Sequence, residues 1–68
     1  MRLHMFPNDH EPAHFHVLAP DFAVKVVIGL WAVLPVAGKP RGLEPVLDWA
    51  RANEALLRER WRETRGEP

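Results

Sequence analysis

"HFHVLAPDFAVKVVIG", residues 14–29, is the stretch whose reading decides the fold. Phe15 and Val17 fall on one face of its first half, with His14, His16 and Leu18 on the other. In its second half Phe22, Val24, Val26 and Ile28 oppose Ala23, Lys25 and Val27. A period of two marks a half-buried β-strand. Between the halves, Pro20 presets φ for the first central position of a tight turn and Asp21 suits the second. The stretch therefore predicts an antiparallel hairpin with strands over 14–19 and 22–29. One face would be apolar, and Lys25 would share the opposite face with the histidines.

Toward the N-terminus, "MRLHMF" alternates again, with Leu3 and Met5 against His4 and Phe6, and predicts a strand over 1–6. The intervening "PNDHEPA" is rich in turn formers and reads as an ordered loop. Toward the C-terminus, "LWAVLPV" is β-branched and aromatic enough for a fourth strand over 31–36, which Pro35 confines to an edge or a bulge. From about Pro40 the period changes. Leu43, Val46, Leu47, Ala50, Leu57 and Trp61 recur at three- and four-residue steps, with Trp49 and Leu56 flanking, and predict one long amphipathic helix over 43–65. Proline is tolerated only in a helix's first turn, so the regular part is expected to begin at Glu44 or Pro45. The outer face carries Asp48, Arg51, Arg58, Glu59 and Arg62, with Glu54 placed four residues before Arg58 to pair with it. The expectation is a single α+β domain spanning 1–68: a small antiparallel β-sheet of three to four short strands with one long C-terminal helix packed on it. Its core or interface residues would be Phe15, Val17, Val24, Val26, Ile28, Trp49, Leu57 and Trp61.

Composition narrows the function classes. A chain of 68 residues leaves room for one economical core. It has no cysteine, hence no disulfide framework and no thiolate metal site, which points to a reducing cytoplasm. The longest apolar run is interrupted by Lys25 and Pro35 and is too short to span a bilayer, and the opening residues lack the apolar core of a targeting signal. Nine Lys/Arg balance nine Asp/Glu, so no basic surplus supports nucleic-acid binding. Seven of those cations and six of the anions lie from Lys39 onward, which leaves the first half nearly uncharged and rich in histidine.

Three of the four histidines, His10, His14 and His16, fall within seven positions beside Asp9. On a strand, His14 and His16 would have Cβ atoms about 6.6 Å apart and could meet a common partner. Three chemistries fit. In the structural one, Asp9, His10, His14 and His16 form a polar cluster in which the imidazoles bond loop carbonyls and the Asp9 carboxylate and fix the turn. In the metal one, His10, His14 and His16 ligate zinc, which needs three or four ligands in tetrahedral array. The spacing lacks the helical register of metalloprotease motifs, so no metal or other cofactor is favoured. In the acid/base one, a neutral and a protonated histidine drawn from His10, His14 and His16 cleave RNA without metal, with Lys25 stabilising the pentavalent phosphate. His4 alone reads as an ordinary strand residue. Trp49 and Trp61, twelve apart and close to one helical stripe, read as packing on the sheet rather than stacking on bases.

The stretch "NDHEPAHFHV", followed by a strand pair and then by "LDWARANEALLRERW", resembles a small bacterial family catalogued as domain of unknown function 4160. The residues that carry the resemblance are Asp9, His10, Pro12, His14, Phe15 and His16 in the first half, and Trp49, Ala50, Leu57 and Trp61 in the second. The resemblance implies a compact β-β-β-(β)-α domain and a frequent genetic pairing with another small protein, as in toxin–antitoxin-like modules. It brings no established activity. Ala13 stands where the family usually has a second proline. Members also usually carry about a dozen residues before the first strand, resembling the other half of a hairpin. Without them the first strand would expose an unpaired edge, which implies a swapped partner strand, an edge-to-edge dimer or a missing start.

Together these readings lead to a cytoplasmic protein-interaction component of a two-gene module rather than an enzyme. Its expected partner is another small protein, or a second copy bound through the N-terminal strand or the helix, with no membrane. The alternatives are a histidine-based ribonuclease and, less favoured, a metal-binding or DNA-binding regulatory domain.

Overall fold

The computed structural model describes residues 1–6 and 10–64. Four strands, β1 (Arg2–His4), β2 (His14–Ala19), β3 (Phe22–Val27) and β4 (Val33–Gly38), are followed by helices α1 (Glu44–Ala52) and α2 (Glu54–Thr64). The strands form one antiparallel sheet in the order β1-β2-β3-β4, so each pairs with its sequence neighbour. The α+β class, the sheet and the C-terminal helical segment are as expected from the sequence.

The β2–β3 hairpin turns at Pro20 and Asp21, with Ala19 opposite Phe22 and His16 opposite Lys25. Its apolar face is the core. Phe15, Val17, Val24 and Val26 are fully buried there, joined by Phe22, Ile28, Ala50, Leu57 and Trp61. Fully burying side chains of this size contributes roughly 1.5–3 kcal/mol each, which makes this hairpin and the helices beneath it the centre of stability.

The element bounds differ from expectation at three places. β1 is three residues long rather than six. β3 ends at Val27 rather than residue 29, and β4 runs Val33–Gly38 rather than 31–36, because the chain turns between Val27 and Ala32. That turn is closed by Trp31 N–H donating to the Val27 carbonyl at 2.8 Å and Val27 N–H donating to Ala32 at 2.9 Å. It places Gly29 at φ 99° and Trp31 at φ 59°. Glycine takes a positive φ without penalty, whereas a bulky residue rarely does. The third correction concerns the helix, which is two helices rather than one. At Asn53 the backbone leaves the helical region (φ −121°, ψ 32°) and its N–H donates to the Ala50 carbonyl at 3.1 Å. The Asn53 side-chain amide then donates to the Trp49 carbonyl at 2.8 Å. Asparagine competes with the helical ladder through such side-chain bonds, and here it marks the joint between α1 and α2.

Pro45 lies in the first turn of α1, behind Leu43 at the N-cap, as its chemistry requires. The Glu54–Arg58 pair is present at 2.9 Å on the exposed face. The two tryptophans part company. Trp61 is 3 % exposed and belongs to the core, while Trp49 is 46 % exposed and does not.

Candidate functional site

The sheet's two faces have different chemistry because strand alternation divides the side chains cleanly. On the face away from the core, the register aligns His4, His16, Lys25 and Leu34 across all four strands. Directly opposed residues on neighbouring strands have Cβ atoms about 4.5–5.5 Å apart, so the imidazoles and the ammonium form one row. Phe6 adds its ring between the first two, edge-on to His4 at 4.5 Å and to His16 at 4.8 Å between centroids. His16 meets His14 edge-on at 5.3 Å, and His14 lies 4.9 Å from the Trp61 ring. Five rings thus run in continuous contact from exposed His4 to Trp61 in the core.

His14 is 3 % exposed. Its Nδ1–H donates to the Pro12 carbonyl at 2.8 Å, the loop-carbonyl bond that a structural role calls for. Trp61 Nε1–H donates to a Glu11 carboxylate oxygen at 3.3 Å, tying α2 to the same loop. The Glu11–Pro12 peptide between these two anchors is cis. His14, itself buried, and Trp61 thus hold the loop that leads into β2 through two part-buried bonds.

The predicted cluster is only partly assembled. His14 and His16 are neighbours, and Lys25 is half-buried beside His16. His10 is exposed, and Asp9 lies outside the described residues. Among the described residues no three of His, Asp or Glu converge in a way that would hold a metal ion. An acid/base pair of His14 and His16 would have to act through a ring sealed between Trp61 and the Pro12 loop. The accessible imidazole on this face is His4, which sequence reading set aside, although alternation had already placed His4 and Phe6 together.

The core-side face holds a second feature. Beside β1 an open groove of about 320 Å³ is lined by Leu3, His4, Met5, Trp49, Leu56, Arg60 and Thr64, over a floor of Phe15 and Leu57. Leu3, Trp49 and Leu56 are 40 %, 46 % and 41 % exposed, so the apolar stripe of α1 and α2 extends past what the sheet covers. Trp49, Leu56 and Arg60 repeat at helical spacing on that flank, and their adjacency to Leu3 follows only from the sheet register.

A family model described as a domain of unknown function (DUF4160) matches residues 1–62. The chain belongs to this family. No curated protein and no solved structure matches it. Family membership assigns the chain no activity. Within the described residues no helix is long and apolar enough to cross a membrane.

Proposed function

We propose that this chain is the protein-interaction component of a small two-gene, toxin–antitoxin-like module, acting in a reducing cytoplasm and not as an enzyme. The observation that carries the proposal is the groove beside β1, where Leu3, Trp49 and Leu56 together line one opening and each stays 40–46 % exposed. Single exposed apolar residues need no explanation, but a contiguous apolar patch on a small domain marks an interaction surface. The buried position of His14 weighs in the same direction, because it spends the central imidazole on holding the fold.

Co-expression with the product of the adjacent gene tests this. The two chains should co-elute, and light scattering should give a mass above that of either alone. Separate elution at every concentration would sink the reading. Growth arrest caused by this chain alone, abolished in a His16→Ala variant that melts with the parent, would replace it with the ribonuclease.

A further inference from the structure

We propose that the sheet face turned away from the helices is a docking platform for single-stranded nucleic acid, with phosphates held along Arg2, His4, His16 and Lys25 and a base stacked on Phe6. The inference stands apart from the interaction reading, which uses the core side. Strand alternation and the register put Arg2 and His4 of β1, His16 of β2 and Lys25 of β3 on this one face. None of the four strands contains an acidic residue. Among the described residues the carboxylates lie in the loop before β2, in the turn at Asp21 and on the helical segment, and Asp21 is already paired with Arg41 at 3.0 Å. Arg2 and Lys25 make no ion pair among the described residues. Nine cations and nine anions therefore balance only over the whole chain. A neutral molecule here presents a positive face.

Shape narrows the ligand. Neighbouring strands lie about 4.8 Å apart, so the cations of β1 and β3 stand about 10 Å from each other across the face. This is a row and not a cluster, and it suits the repeating charge of a polyanion better than one compact ion. Beside it Phe6 is 40 % exposed and packs edge-on to both His4 and His16. A four-stranded sheet backed by helices, with an aromatic ring set among cations, is a geometry on which single strands bind: bases stack on the ring and the backbone follows the charge. A phosphorylated peptide would satisfy the cations and leave the ring unused. β4 bounds the platform, since Pro35 lacks a backbone donor and a register shift opposite Ala23 and Val24 disturbs the ladder, and both discourage a further strand on that margin. A strand added beside β1 would widen the sheet in its own plane and leave this face as it is.

The probes are fluorescein-labelled hexauridylate and hexathymidylate, titrated into the full chain at neutral pH and low salt and read by anisotropy. Binding of either should weaken with salt at a log–log slope of about −1.4, from about −0.7 for each of Arg2 and Lys25. Arg2→Gln, at an exposed position, should weaken binding about threefold to tenfold and flatten the slope by about 0.7. Lys25→Gln should do the same. Phe6→Leu, which keeps an apolar side chain and loses the stacking ring, should weaken binding about tenfold. Each variant is compared at a melting temperature matching the parent's, and the exposed Arg2 and Phe6 carry the test where Lys25→Gln fails to fold. No binding at millimolar oligonucleotide overturns the proposal. So does binding that the folded variants all leave unchanged, which would move it elsewhere on the chain. Polyglutamate of equal charge, or a phosphorylated peptide, binding as tightly as the oligonucleotides would also overturn it and assign the face to an anionic protein. Co-elution with the adjacent gene's product is a separate measurement and decides only the interaction reading.

Discussion

Trp49 on α1 and Trp61 on α2 are the same residue type in neighbouring helices, and the structure uses them in opposite ways. Trp61 is enclosed by the sheet, bonded to Glu11 and packed on His14. Trp49 lies past β1, with nearly half its surface in water. Helical periodicity puts Trp61 in the apolar stripe and Trp49 at its flank, and a short four-stranded sheet covers the stripe but not the flank. An apolar stripe therefore reports what a helix can bury, and the partner layer decides what it does bury.

The largest expected effect is at the enclosed ring. Trp61→Ala should destabilise the chain by about 3–5 kcal/mol, the usual cost of deleting a buried aromatic, read by chemical denaturation. A small domain has little stability to spare, so Trp61→Phe provides a folded control. It keeps most of the ring, loses the Glu11 bond and should cost about 1 kcal/mol. A cost below that for the alanine variant would mean the enclosure is looser than its 3 % exposure indicates.

Next comes the ring against Trp61. His14→Ala removes the donor to the Pro12 carbonyl and should cost about 1–3 kcal/mol, while His10→Ala, at an exposed position, should stay within about 0.5 kcal/mol. Equal costs at the two positions would break the division between an anchored and a solvated histidine.

Trp49→Ala should lower stability by no more than about 1 kcal/mol, since half the side chain is already hydrated. Its effect belongs to partner binding, so a large melting shift in the free protein would erase the contrast between the tryptophans. Asn53→Ala sharpens it from another direction: alanine favours a continuous helix and frees the Trp49 carbonyl. Little net stability change is expected, within about 0.5 kcal/mol, together with altered fluorescence from Trp49. Smallest of all, a chelator should leave the melting temperature unchanged, whereas a zinc site built from the histidines would couple metal loss to unfolding.

Much of this was legible beforehand. Strict alternation through residues 14–27 fixed the hairpin, its core face and the shared face of His16 and Lys25, because a one-residue slip would turn every side chain over. Pro45 located the start of α1 through its missing N–H. The misplaced parts depended on tertiary context. The turn before β4 lies inside an apolar run whose single turn former is Gly29, and it relies on Trp31 adopting a conformation its type disfavours. Asn53 was one polar residue in a periodic stretch, and its bond to Trp49 is a choice between two local satisfactions. His4 joined the histidine row only because β1 pairs beside β2, which no spacing along the chain encodes. The groove likewise exists only once Leu3 and Leu56, far apart in sequence, are brought together.

The proline and the register shift on β4 also set a limit on assembly. Open-ended polymers form when a subunit offers two complementary surfaces that do not close on themselves. A sheet whose β4 margin refuses a further strand lacks one of the two surfaces that such growth needs, so strand addition cannot run without end from one copy of the chain to the next.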